Sequence, residues 1–158
     1  MNALLSTVDT APASSNDGRS ARTGELDARV SPSKKALWTG RVLSGLAVAF
    51  LLMDGTFKLV ASPEAVHGTT ELGWPATVLF GLGLLQYACL AVYLIPQTAV
   101  LGAVLWTGYL GGAIATHVRV GNPLFSHILF PVYVAAFLWL GLWLRDSRLR
   151  ALLPLRSV

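Results

Sequence analysis

The stretch LWTGRVLSGLAVAFLLMDGTFKLV, Leu37 to Val60, sets the class of this chain. Arg41, Asp54 and Lys58 are its charged residues; everything else in it is apolar, small or amide-free polar. At about 1.5 Å per residue a helix over this run reaches roughly 36 Å, enough to cross a hydrocarbon core of about 30 Å with some tilt. On that helix Gly40, Ser44, Ala47, Leu51, Asp54 and Lys58 recur at alternating steps of four and three, which puts them on one face. One half of the face is small and permits close helix contact. The other half is ionic. A charge in hydrocarbon costs several kcal/mol unless it is paired, wetted or snorkelled, so Asp54 and Lys58 are candidates for a site. They stand one helical turn apart, where an ion pair is available.

Three further apolar runs follow: Pro75 to Ile95, Thr98 to His117 and Leu124 to Leu144. Pro96-Gln97-Thr98 and Gly121-Asn122-Pro123 are tight turns, and connections this short make the last three helices antiparallel neighbours. Between the first two runs, Ser62-Pro63-Glu64 combines a capping hydroxyl, a proline at the first helical position and an early acid. Residues 63–72 therefore read as a short interfacial helix that Gly73 can stop. The expected fold is all-α, a polytopic membrane protein built as an antiparallel four-transmembrane-helix bundle. Residues 1–33 lack an apolar stretch long enough for a signal-peptide core and read as a disordered cytoplasmic tail. Residues 34–146 form the membrane domain, and 147–158 a basic cytoplasmic tail.

Bulk composition agrees. Hydrophobic residues make up 54% and charged residues 13% of the chain, against roughly 25% charged in a soluble domain. The net charge of +4 does not imply a nucleic-acid partner, because the basic residues sit at the ends of apolar runs. Lys34, Lys35, Arg41, Arg145, Arg148, Arg150 and Arg156 mark one side, against Lys58 and Arg119 on the other. That bias predicts a multi-pass protein of the inner (plasma) membrane with both termini cytoplasmic. Its first partner is the lipid bilayer. Cys89 is the single cysteine, so an intramolecular disulfide is excluded, and it reads as a small buried apolar residue.

The remaining ionisable groups gather at the predicted extracytoplasmic end. His117 closes the third run, Arg119 follows it, and His127 opens the fourth; Glu64, His67 and Glu71 lie on the interfacial segment. Any one of them can be ordinary interfacial polarity, but chance would scatter them over both faces. Gln86, about 16 Å into the second helix, can hydrogen-bond across helices but cannot shuttle a proton by ionising. The candidate ligand pocket is therefore Asp54, Lys58, Gln86, His117, Arg119, His127 and Glu71, with no catalytic residue assigned. No H-x-x-H or H-E-x-x-H spacing supports a metal. His117 and His127 flank too short a turn to seat a haem. Gly108 and Gly112 give the third helix a small surface, read as helix packing.

Gly55-Thr56-Phe57-Lys58-Leu59, Glu71-Leu72-Gly73-Trp74-Pro75, the segment from Leu94 to Ala103 and Gly112-Ala113-Ile114-Ala115-Thr116-His117 occur in that order. In this the chain resembles the DoxX-like family of small four-helix bacterial membrane proteins over residues 37–144. The resemblance implies functional weight at Lys58 and at the Thr116-His117 end of the third helix. Many members have glutamate where this chain has Gln86, a departure that counts against a proton relay there. Relatives of the family are associated with thiosulfate:quinone oxidoreductase and other membrane redox complexes. Three functions follow as expectations. One is an accessory subunit of a quinone-linked redox system, with quinone as its ligand and a membrane or extracytoplasmic redox protein as partner. The second is a non-catalytic scaffold, with homo-oligomers allowed. The third, a small transporter, is disfavoured by the lack of an internal repeat or broken helix.

Overall fold

Ser33 accepts a hydrogen bond from the Ala36 amide through its hydroxyl and so starts α1, Lys34–Leu59. The computed structural model describes residues 33–152. The expected tail over 1–33, apart from Ser33, and Arg156 lie outside them. Every regular element among the described residues is helical. After α1 come α2, Pro63–Glu71; α3, Val78–Leu94; α4, Ala99–Arg119; a π-helical turn, Leu124–Ile128; α5, Phe130–Arg145; and α6, Ser147–Leu152.

Three segments are long and apolar enough to cross a membrane: Lys34–Leu59, Ala99–Arg119 and Leu124–Arg145. α3 has 17 residues. It begins three residues later than the sequence suggested, because Trp74 to Thr77 form turns in which the Val78 and Leu79 amides bond to the Pro75 and Ala76 carbonyls. The fourth apolar run also starts differently. Pro131 has no N–H to donate to the carbonyl of His127, so the α-helical ladder cannot run through it. The chain instead makes a wider turn, in which the Leu129 amide bonds to Leu124 O at 2.8 Å, and becomes α-helical at Phe130. α2 follows its sequence signals closely: Ser62 caps it by accepting from the Ala65 amide, and Pro63 occupies its first turn.

α1 packs most extensively on α5 and then on α3; α3 packs on α4, and α4 on α5, so the contacts close a ring. The small face of α1 is the buried one, with Gly40, Ser44, Ala47, Leu51 and Gly55 inside. A Cβ on Gly40 would lie 2.8 Å from Gly141 O. α1 and α5 thus meet backbone to backbone. Nearby, the Ser44 and Tyr93 hydroxyls are 3.0 Å apart, and Tyr93 donates to Leu138 O at 3.0 Å. α3 and α4 meet equally closely, since a Cβ on Gly102 would stand 2.5 Å from the Tyr93 nitrogen. Leu51, Leu90, Trp106, Leu138 and Leu142 fill the space between these crossings. Phe80, Leu84, Leu101, Val104, Phe137 and Leu140 point outward, exposed. An apolar exterior of this kind suits lipid.

Candidate functional site

Asp54 and Lys58 emerge from α1 toward the end of the ring that carries α2, and their side chains form an ion pair. Lys58 is 18% and Asp54 35% exposed. Gln86 of α3 holds the pair in place and is itself fully buried. Its amide nitrogen donates to Leu51 O at 2.7 Å and to Asp54 Oδ2 at 2.9 Å. Its Oε1 accepts from Lys58 Nζ at 3.2 Å and from the Tyr109 hydroxyl at 2.9 Å. A carboxamide has two N–H donors and two acceptor lone pairs. All four are used. The amide therefore sits in one orientation and links α1, α3 and α4 at a single point.

This arrangement shows what the glutamine supplies to this network that an ionised carboxylate would not. A carboxylate could accept from Lys58 and Tyr109, but it has no N–H for Leu51 O and would set a second negative charge against Asp54. Gly55 allows the approach: a Cβ there would lie 3.3 Å from Gln86 Nε2 and 2.9 Å from the Tyr87 ring.

Beside the network, His117 at the end of α4 and His127 in the π-helical turn stack edge to face with ring centroids 5.7 Å apart. Asn122 Nδ2 donates to His117 Nδ1 at 2.8 Å, which leaves Nε2 as the N–H-bearing nitrogen of the neutral ring. His127 Nδ1 pairs with the Ser126 hydroxyl at 2.8 Å. Among the described residues, no group of three His, Cys, Asp or Glu side chains is gathered as a metal would require.

A cavity of about 1490 Å³ lies over these groups. Asp54, Lys58, Tyr109, His117 and His127 line it, and so do Glu64 and Glu71 of α2, both exposed to solvent. Five of the seven residues singled out in the sequence thus share one void. Gln86 is not on the cavity surface; it braces the wall from behind. Arg119 is elsewhere too, its guanidinium donating to Leu72 O and thereby fastening the end of α2 to the end of α4. Gly73 makes room for that contact in a left-handed conformation, φ 77°, that favours glycine. Glu71 also faces His67, 3.6 Å away on the exposed side of α2.

Two readings of the sequence need correction. Gly108 and Gly112 do not pack against a helix: a Cβ added at either would meet no atom within 4 Å, and both line the cavity. The tight contact on α4 is at Gly102 instead. Tyr109 was missed, although it lies on the same face as Ala113 and His117, at successive steps of four along α4. Projecting the helix back from His117 would have found it.

The model of the DoxX-like family matches residues 42–141. No curated protein and no solved structure matches the chain. The matched segment begins within α1 and ends within α5, so it contains the whole network, the histidine pair and the cavity.

Proposed function

For a chain that belongs to the DoxX-like family, we propose that the cavity at the α2 end is the ligand pocket of a small integral membrane protein, an accessory subunit of a quinone-linked redox system. In this reading α1, α3, α4 and α5 all cross the bilayer as an antiparallel four-helix bundle. α3, at roughly 26 Å, is short but within the range that spans. Both termini lie in the cytoplasm of a bacterial inner membrane and α2 lies at the extracytoplasmic surface, as the lysine and arginine bias favours.

One observation carries the ligand reading: an ion pair sits at the floor of a large cavity and is held by a saturated, fully buried amide. A bundle that only scaffolds a partner could use this network to hold α1, α3 and α4, but has no use for the void beside it. The groups present fit a quinone ring. Lys58 uses two of its three N–H donors within the network, and the third can meet a carbonyl oxygen. His117 offers a second donor, Asp54 holds Lys58 by an ion pair, and apolar side chains of α3 and α4 supply the walls. Arg119, engaged with Leu72, stabilises the rim.

The test is a binding measurement on purified protein in nanodiscs. A quinone with a decyl tail should bind the wild-type protein, and Lys58→Ala should weaken it at least tenfold at unchanged protein level. If Lys58→Ala and His117→Ala lower only abundance and leave binding intact, the pocket reading fails. The second reading, a scaffold for another membrane protein or for a second copy, is favoured by bare, exposed glycine such as Gly45 on α1, where another helix could approach closely. It predicts co-purification of a stoichiometric partner and no ligand.

A further inference from the structure

The cavity has a side as well as a mouth. α3 and α4 touch backbone to backbone at Tyr93 and Gly102, next to the turn that joins them. Moving away from that turn, the two helices pair Leu85 with the region of Gly108, then Gly81 and Leu82 with the region of Gly112, by the register of an antiparallel hairpin. Gly81, Gly108 and Gly112 all line the cavity and all are exposed, and a Cβ at any of them would find nothing within 4 Å. Leu82, Leu85, Val104 and Leu105 form the rest of this wall, and Leu85, Val104 and Leu105 are also exposed. Along this stretch the hairpin carries no covering side chain at its three glycines. It makes an apolar slot that runs from Cys89 to Gly81, about 12 Å along α3, and its exposed lining residues lie on the flank of the bundle, where the exterior is apolar.

Charge separates the two routes into this cavity. Its lining holds three carboxylates, Asp54, Glu64 and Glu71, against one ammonium, Lys58. Asp54 and Lys58 neutralise each other at the floor. The two glutamates remain at the mouth, so an anion arriving from water meets like charge there. Arg119, bonded to Leu72 O at the rim, offsets one of these charges and leaves the mouth with a net single negative charge. A neutral head meets no such barrier, and an apolar tail has the slot to occupy.

We infer that the pocket is loaded sideways from the bilayer, between α3 and α4 over Gly81, Gly108 and Gly112, by a neutral amphiphile. Its hydrogen-bonding head reaches Asp54 and Lys58 while its tail stays in the slot. This rests on the cavity being a ligand site and adds the route, the charge and the tail. The bare glycines then have a reason. Side chains at these positions would close the slot, and leaving them off costs helix propensity.

The experiment compares three probes on protein in nanodiscs, each corrected for uptake by empty discs: a decyl-tailed benzoquinone, the same ring without a tail, and decanoate. The tailed neutral probe should bind at least tenfold more tightly than either of the others. Gly108→Leu and Gly112→Leu should each reduce its binding at least tenfold. Both changes point into open space, so the variants should fold, as a melting curve will register. Gly45→Leu, likewise in open space but away from the cavity, should bind as wild type does. Equal binding of the tailless ring, tighter binding of decanoate, or full binding by Gly108→Leu and Gly112→Leu would overturn lateral loading while leaving the pocket standing. If no probe binds the wild-type protein, the pocket falls and the route with it.

Discussion

Glycine does opposite work at the two ends of the α3–α4 hairpin. Near the turn, Gly102 lets α4 press against the backbone of Tyr93. Six and ten residues further on, Gly108 and Gly112 face nothing, and the space they leave is part of the cavity. On α1 the contrast repeats. Gly40 meets Gly141 in backbone contact at one end, and at the other the helix carries Asp54 and Lys58 into a void. One end joins backbone contacts with the Ser44–Tyr93–Leu138 hydrogen bonds, while the other sets an ion pair and its amide network beside a void. In a bilayer this division has a physical basis. Without a hydrophobic drive between helices, association relies on close van der Waals contact or on polar groups that would otherwise go unpaired.

The largest effect should come from the packed end. Gly102→Leu places a side chain into the Tyr93 backbone, which cannot move aside as a flexible side chain would, so the loss should reach about 3 kcal/mol or more. Unfolding in mixed micelles measures it, and a loss under 1 kcal/mol would mean that the two helices do not meet there.

Next is the hub of the polar end. Gln86→Leu deprives Leu51 O, Asp54, Lys58 and Tyr109 of a partner together, at an expected cost of about 2–3 kcal/mol. Gln86→Glu should also destabilise, since it keeps the acceptor side of the network and loses the donor side. If both substitutions proved neutral, the α2 end would be held by something other than this amide.

Arg119→Gln should cost about 1 kcal/mol, the value of one hydrogen bond, and its effect should be local. Amide exchange in Pro63–Glu71 should accelerate while that of α5 stays as it was. Uniform acceleration would show that Arg119 supports the whole bundle.

The smallest changes should be gains. Gly108→Leu adds helix propensity at a site with open space and should stabilise by up to about 1 kcal/mol, in contrast to Gly102→Leu six residues away. Ala61 sits in the left-handed region, φ 48°, in the turn between α1 and α2. Ala61→Gly should relieve that strain and raise stability by somewhat under 1 kcal/mol, less what glycine adds to the entropy of the unfolded chain.

Much of this was readable one residue at a time. Long apolar runs, the proline and serine that start α2, and the four-three spacing of Gly40 to Lys58 each reflect a local rule, and each appears in the structure. The Asp54–Lys58 pair, one turn apart on the same helix, was equally local. Gln86 was legible as a cross-helix hydrogen-bonder but not as the residue that orients the pair, because its partners come from 23 to 35 positions away. The same limit applied to Gly108 and Gly112. A glycine removes a side chain wherever it occurs, and sequence carries no sign of what the neighbouring helix does with the space.

Chain chemistry thus fixed which segments are apolar enough to enter a membrane, where α2 begins, and which end gathers the candidate site residues, since these depend on residues within a turn or two. Packing settled which glycines touch, that Arg119 fastens α2 and stays out of the cavity, and that five of the seven candidate residues line one void. Those outcomes depend on how closely neighbouring helices approach one another, a distance that no single helix encodes.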